Sequence, residues 1–212
     1  MLLSGEGTNF AAIAAAARSG QVPINIVSVL SDRPGARGLD RARALEIPTV
    51  ALPPTSFPNR ATHDRALIEA IDAAGAKLVV LAGYMRIFQP EFIAHYAGRL
   101  LNIHPSLLPA YRGLDTHARA LADGVAQHGC TVHFVTDELD GGPLIAQARV
   151  PVLAGDTPGT LAARVHAREH VLYPRVIGWY AAARVRERAG QVWFDGKPLA
   201  APLVLEDTDA AA

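Results

Sequence analysis

The segment Leu100-Leu101-Asn102-Ile103-His104-Pro105 is typical of a buried strand that a proline ends. Residues two apart in an extended chain share a face, so we expect the side chains of Asn102 and His104 on the same side of this strand. In open α/β sheets, ligands bind outside the carboxyl ends of the strands, where this amide and imidazole would lie. Joined by a carboxylate, such a pair can stabilise an oxyanion and move a proton.

The rest of the chain places this strand in an α/β fold. Short apolar segments alternate with helical ones over the first hundred residues, which is the pattern of a parallel sheet. We predict a Rossmann-like, mostly parallel sheet with helices on both faces. Strands are predicted at 1–3, 24–30, 49–52, 78–82, 100–104, 130–135 and 144–150. Helices are predicted at 9–18, 39–45, 60–73, 116–123 and from Asp156 to about Arg186, followed by a hairpin at 192–197 with an Asp-Gly turn.

Composition limits the class of function. The chain has 212 residues, and its 20 Lys and Arg balance its 20 Asp and Glu, without the basic stripe that nucleic-acid binding requires. The single cysteine, Cys130, excludes an intrachain disulfide and is expected as a buried strand residue. No apolar segment is long enough to span a membrane and no export signal is visible, so we expect a cytoplasmic protein.

A glycine-containing turn near the start is a candidate phosphate site. Gly5-Glu6-Gly7-Thr8-Asn9 follows a strand and opens a helix, where exposed N–H groups and the helix dipole favour an anion. The same residues could equally form an ordinary tight turn. The third glycine of the dinucleotide-binding motif is absent, which disfavours a nicotinamide cofactor.

Several motifs in one order resemble those of a known family. Asn102-x-His104-x-Ser106-Leu107-Leu108-Pro109 and Asp137-x-Leu139-Asp140-x-Gly142 are similar to motifs of the folate-dependent formyltransferases and formyl-folate hydrolases. Within that family, four further segments resemble the enzymes that formylate glycinamide ribonucleotide in purine biosynthesis: Ser4-Gly5-x-Gly7-Thr8-Asn9, Ala82-Gly83-Tyr84-Met85-Arg86-Ile87, Gly113-x-x-Thr116-His117 and His128-Gly129-x-Thr131-Val132-His133. The resemblance runs from about Leu3 to Trp179. The family's first strand is usually longer than Met1 to Leu3, so we expect either that the natural start lies upstream of Met1 or that the central strand is shortened.

The resemblance implies a reaction and a set of residue roles. The formyl group of 10-formyltetrahydrofolate, a co-substrate, would pass to the amine of glycinamide ribonucleotide, with no metal. Catalysis would involve Asn102, His104 and Asp140. The nucleotide would be bound by Gly7, Thr8, Asn9 and Glu169, and the folate by Arg60, Met85, Arg86, Ile87, Phe88, Asn102 and Asp140. The chain would be a single formyltransferase domain over 1–212, with a phosphate-binding α/β lobe at 1–100, a folate and catalytic lobe at 101–200 and a tail at 201–212.

Other interpretations of these residues remain open. Three alternative functions are a formyltetrahydrofolate hydrolase, a formyl-folate binding protein and an enzyme that formylates another sugar nucleotide amine. We expect the protein to be either a monomer or a homodimer. The pattern His166-x-x-Glu169-His170 resembles a zinc peptidase motif. However, a stripe of residues places Glu169 on the inward face of its helix, together with Leu161, Val165, Leu172 and Val176. We expect His63, His95 and His128 to be solvated, and Ser106 to belong to a turn.

Overall fold

The computed structural model describes residues 1–205, and the chain divides into two compact units. The first comprises Met1–Asn102, and the second begins at Ile103. Of the predicted tail at 201–212, the residues from 206 onward lie outside the described part of the chain. Every element below falls within residues 1–205.

The first unit contains a parallel sheet and four α-helices. Its strands are β1 (Leu2–Leu3), β2 (Val29–Ser31), β3 (Thr49–Ala51), β4 (Val79–Leu81) and the first residues of β5 (Leu100–His104). They lie in the order β3-β2-β1-β4-β5 and all pair in parallel. The helices are α1 (Thr8–Arg18), α2 (Arg37–Ala44), α3 (Arg60–Ala73) and α4 (Pro90–His95). Every residue of β2 and β4 is buried, and since neighbouring side chains point to opposite faces, both faces of these strands are covered.

The second unit combines an antiparallel pair, a long helix and a small separate sheet. It contains α5 (Thr116–Ala122), β6 (Gln127–Phe134), β7 (Leu144–Pro151), α6 (Pro158–Ala181), β8 (Val185–Arg188), β9 (Gln191–Phe194), β10 (Lys197–Pro198) and β11 (Leu203–Leu205). Strands β6 and β7 pair in antiparallel, and β11 joins β7 in parallel. Strands β8, β9 and β10 form the antiparallel meander.

The α/β class and the mostly parallel pairing are confirmed, and several predicted boundaries coincide with the observed ones. Helix α3 and strand β5 begin and end as predicted. Helix α6 begins directly after Thr157, whose hydroxyl accepts the Thr160 N–H in a capping box. The predicted hairpin turn has Asp195 at φ 48° and Gly196 at φ 78°, as an Asp-Gly turn of type I′ requires.

Four predictions about elements are wrong or incomplete. Helix α6 ends at Ala181, not near Arg186, because Ala183 turns to φ 60° and the following residues pair as β8. The second strand is Val29–Ser31 rather than 24–30, because β1 offers only Leu2 and Leu3 as partners. Helix α4 and strand β11 were not expected from the sequence.

Candidate active site

The imidazole of His104 lies at the end of β5, in the second unit, and is almost fully buried. Its Nε2 is 2.9 Å from the carbonyl oxygen of Tyr111. A carbonyl only accepts hydrogen bonds, so Nε2 carries a proton. The other nitrogen, Nδ1, lies 3.4 Å from Oδ2 of Asp140. Nδ1 is therefore the ring nitrogen that can take up or release a proton.

The carboxylate of Asp140 is the second member of this pair. It lies in the loop between β6 and β7, with its backbone at φ 48°. Oδ2 accepts the backbone N–H of Gly113 at 2.9 Å, and Oδ1 is 3.8 Å from Nε2 of His133. The side chains of His104 and Asp140 are only 8% and 9% exposed, so their interaction is weakly screened by solvent.

A glycine two residues later holds the Asp140 loop against β6. A Cβ atom at Gly142 would overlap the carbonyl oxygen of Phe134, at the end of that strand. Only glycine permits this close approach of two backbone segments. The glycine in the Asp-x-Gly motif therefore fixes the loop that carries the carboxylate.

His133 lies beside the carboxylate as a neutral ring. Its Nδ1 donates to the carbonyl oxygen of Phe134 at 2.8 Å. Burial lowers the pKa of His133, and this effect outweighs the nearby charge of Asp140. The neutral His133 ring therefore adds no charge beside Asp140.

Asn102 is the last residue of the first unit and belongs to the same strand as His104. It is partly buried and pairs in register with Leu81 of β4. Two residues along an extended strand bring a side chain back to the same face. Asn102 and His104 are therefore adjacent positions on one side of β5.

The predicted phosphate turn forms the N-terminus of α1 in the first unit. Gly7 is the N-cap at φ 71°, and a Cβ atom there would lie 2.6 Å from Cα of Gly38. Thr8 and Asn9 follow as the first helical residues, and the first turn contains no acidic residue. No side chain caps the helix. A helix N-terminus of this kind favours an anion.

The segment after β4 contains the predicted folate residues of the first unit. Met85 and Ile87 are 64% and 61% exposed, which is unusual for large apolar side chains. Nη2 of Arg60 donates to the carbonyl oxygen of Ile87 at 2.5 Å, which ties α3 to this segment. Arg86 is partly exposed. Phe88 is buried, with its ring stacked against those of Tyr84 and Phe92.

Glu169 lies on the buried face of α6, in the second unit. It is 3% exposed, and the predicted inward stripe is buried throughout: Leu161, Val165, Leu172 and Val176. A carboxylate placed in an apolar stripe requires polar partners, which is typical of a functional group.

Comparison with known proteins identifies the family. The formyl transferase family model matches residues 1–177. The chain belongs to the formyl transferase family. It is 50% identical to the phosphoribosylglycinamide formyltransferase of Escherichia coli, over 94% of each chain. Among solved structures, it matches the phosphoribosylglycinamide formyltransferase of Coxiella burnetii with a TM-score of 0.93 and 50% identity, covering 97% of each chain. It also matches a formyltetrahydrofolate deformylase of Pseudomonas putida with a TM-score of 0.82 and 29% identity, over 91% of this chain and 68% of that one.

Some predictions about side chains of this formyl transferase family member are wrong. Two of the three histidines expected to be solvated, His63 and His128, are buried. His63 lies between Asp64 and the carbonyl of Leu52. His95 is exposed as expected, and its Nε2 is 2.8 Å from a carboxylate oxygen of Asp72. His128 is buried, with its Nε2 at 3.2 Å from Nδ1 of His117. Spacing along the sequence could not reveal these partners, because several of them come from other elements.

Sequence reasoning also missed two residues that hold the pair of His104 and Asp140. The carbonyl of Tyr111 fixes His104, and the N–H of Gly113 fixes Asp140. Both act through the backbone, so the identities of their side chains give no direct signal. A cluster of positive φ values from 111 to 115 marks this segment: Tyr111 at 56°, Gly113 at 78° and Asp115 at 57°.

Other expected properties of the chain can be compared with the described residues. Cys130 is fully buried in β6, and burial raises the pKa of its thiol, as expected for a core residue. Ser106 donates to the carbonyl of Ala110 at 2.6 Å and so belongs to a turn. Within residues 1–205, no three His, Cys, Asp or Glu side chains cluster as metal ligands. None of the helices in that range has the length and apolarity needed to cross a membrane.

Proposed function

We propose that this protein transfers the formyl group of 10-formyltetrahydrofolate to the amine of glycinamide ribonucleotide, in de novo purine biosynthesis. The observation that carries the proposal is the buried pair of His104 and Asp140, whose 3.4 Å separation suits proton transfer. The similarity to enzymes named phosphoribosylglycinamide formyltransferase supports the choice of substrates. We further propose that the protein acts in the cytoplasm on these small molecules, not on nucleic acid, as a monomer or homodimer.

The chemistry follows from the orientation of the imidazole. The substrate amine attacks the formyl carbon, and the carbonyl oxygen becomes an oxyanion. Nε2 of His104 is already hydrogen-bonded to the carbonyl oxygen of Tyr111, so Nδ1, when protonated, is the ring nitrogen that donates to that oxyanion. The Asn102 amide is the second donor. The carbon–nitrogen bond to the folate then breaks. The amine loses its proton and the folate nitrogen gains one, through His104 and Asp140.

The remaining predicted residues are assigned to binding. In the first unit, the helix N-terminus at Gly7, Thr8 and Asn9 would hold the nucleotide phosphate, which suits the positive end of the helix dipole and the absence of acidic residues in the first turn. In the second unit, the Glu169 carboxylate would bind the amine of the nucleotide, since a buried carboxylate favours a cationic or donor partner.

The folate would contact the segment after β4 in the first unit. The exposed side chains of Met85 and Ile87 offer apolar surface to a flat heterocycle, and the backbone of Arg86 and Phe88 offers polar contacts. Arg60 would bind the carboxylates of the folate tail after exchanging its contact with the Ile87 carbonyl.

Hydrolysis of the formyl-folate is the competing function, because water could replace the amine at the same pair. The match to a formyltetrahydrofolate deformylase is the observation that raises this alternative. Its identity of 29%, against 50% for the formyltransferase of Coxiella burnetii, favours the transferase.

The test is release of tetrahydrofolate from 10-formyltetrahydrofolate, with and without glycinamide ribonucleotide. We expect release only in the presence of the nucleotide, and no release by a His104→Ala variant. Release of formate without the nucleotide would support the hydrolase. Binding of the folate without any release would support the binding protein and overturn the proposal.

A further inference from the structure

A buried hydrogen-bond network lies beneath the turn that follows His104. Gln147 of β7 donates through Nε2 to the carbonyl of Leu108 at 2.8 Å and to Oγ1 of Thr131 at 3.0 Å. That hydroxyl donates to the carbonyl of Ser106 at 2.7 Å and accepts the N–H of Leu108 at 3.0 Å. Gln147 is 7% exposed and Thr131 is fully buried.

The hydroxyl of Thr131 and the amide nitrogen of Gln147 use their full hydrogen-bonding capacity. A hydroxyl offers one donor and two acceptor sites, and all three are occupied at Thr131. An amide nitrogen offers two donors, and both are occupied at Gln147. A buried network in which each group is satisfied holds its members in one arrangement.

This arrangement extends to the catalytic imidazole. The hydroxyl of Ser106 donates to the carbonyl of Ala110 at 2.6 Å, which closes the turn. The next residue, Tyr111, presents its carbonyl to Nε2 of His104 at 2.9 Å. Gln147 does not touch the imidazole, but it holds the base of the turn that places the Tyr111 acceptor.

We infer that Gln147 is a positioning residue for formyl transfer. By holding the turn at 106–111, it keeps the proton of the neutral His104 ring on Nε2 and leaves Nδ1 facing Asp140. The inference rests on the proposed function. It differs from a purely structural role because it concerns which nitrogen of His104 carries the proton.

The experiment replaces Gln147 with methionine, which keeps the length of the side chain and removes both donors. We expect kcat to fall by about tenfold or more, because small errors in the placement of a catalytic group are costly. Both KM values should stay near those of the unchanged protein. In long-range ¹H–¹⁵N spectra at alkaline pH, assigned with a His104→Gln variant, His104 should change from the Nε2–H form to a mixture of tautomers.

Three further variants separate positioning from general stability. Ile145→Val removes a methyl group from a fully buried position of the same strand and should leave kcat and the His104 tautomer unchanged. Thr131→Val removes the shared hydroxyl and should reproduce the Gln147→Met result, whereas Thr131→Ser should retain activity. If Gln147→Met does not fold, the comparison of Thr131→Val with Thr131→Ser tests the inference.

The outcomes are distinct. A lower kcat together with mixed tautomers supports the inference. An unchanged tautomer or an unchanged kcat in an active, folded variant overturns it. If the unchanged protein lacks transferase activity, the proposed function fails, and the spectra then show separately whether Gln147 sets the tautomer.

Discussion

Replacing Asp140 with asparagine removes the negative charge at the site and preserves the size of the side chain. The carboxylate accepts the Gly113 N–H at 2.9 Å and lies 3.4 Å from Nδ1 of His104. An asparagine carbonyl can still accept from Gly113, so the loop keeps its anchor. We expect kcat to fall by about 10²–10⁴, the typical contribution of a positioned acid or base.

A second substitution separates the chemical role of this residue from its structural one. Asp140→Ala also leaves the partly buried N–H of Gly113 without its acceptor, which should cost about 1 kcal/mol in the free energy of unfolding. The assay is steady-state kinetics with both substrates, combined with urea unfolding of each variant. Asparagine should lower kcat with little change in stability, and alanine should lower both. Near-normal turnover in the asparagine variant would refute the role of the Asp140 charge.

Three other predictions concern capping, pH and nucleotide binding. Thr157→Ala removes the acceptor of the Thr160 N–H and should cost about 1 kcal/mol in urea unfolding, and an unchanged midpoint would contradict the cap. Burial lowers the pKa of His128 from 6.5 to about 4, so protons bind the unfolded chain more readily and stability should fall as pH drops through that range. His128→Gln should weaken this pH dependence, which is measured as the free energy of unfolding at several pH values. The same dependence on pH in both proteins would contradict the prediction. Glu169→Gln should raise the KM for glycinamide ribonucleotide more than the KM for the folate. If the variant and the unchanged protein have the same KM for the nucleotide, Glu169 does not belong to the site.

Local signals allowed part of the fold to be predicted. Strand β5 is apolar and ends at Pro105, and α3 follows Asn59, which caps it. Both have the predicted boundaries because their start or stop is encoded in adjacent residues. The hairpin turn at Asp195 and Gly196 was predictable for the same reason.

Elements that depend on distant partners were not predictable in this way. Helix α6 contains no glycine stop signal at its end, and the alanines at 182 and 183 favour a continued helix. The chain leaves the helix because β8 pairs with β9 and because Arg184 forms a two-pronged ion pair with Asp195. These contacts join residues that spacing alone does not connect.

The same distinction applies to the candidate site. The pairing of His104 with Asp140 was expected from the family motifs, and the structure brings the two side chains together. The orientation of the imidazole was not predictable, because the carbonyl of Tyr111 sets it. A backbone carbonyl occurs in every residue type, so no motif could indicate its part in the site.

The most direct test of the central claim follows the fate of a ¹³C-labelled formyl group. The protein is mixed with 10-[¹³C]formyltetrahydrofolate and glycinamide ribonucleotide, and the products are measured by mass spectrometry beside the His104→Ala variant. The account predicts that the label appears on the nucleotide amine with the unchanged protein and stays on the folate with the variant. Label recovered as formate, or transferred equally by the variant, would contradict it.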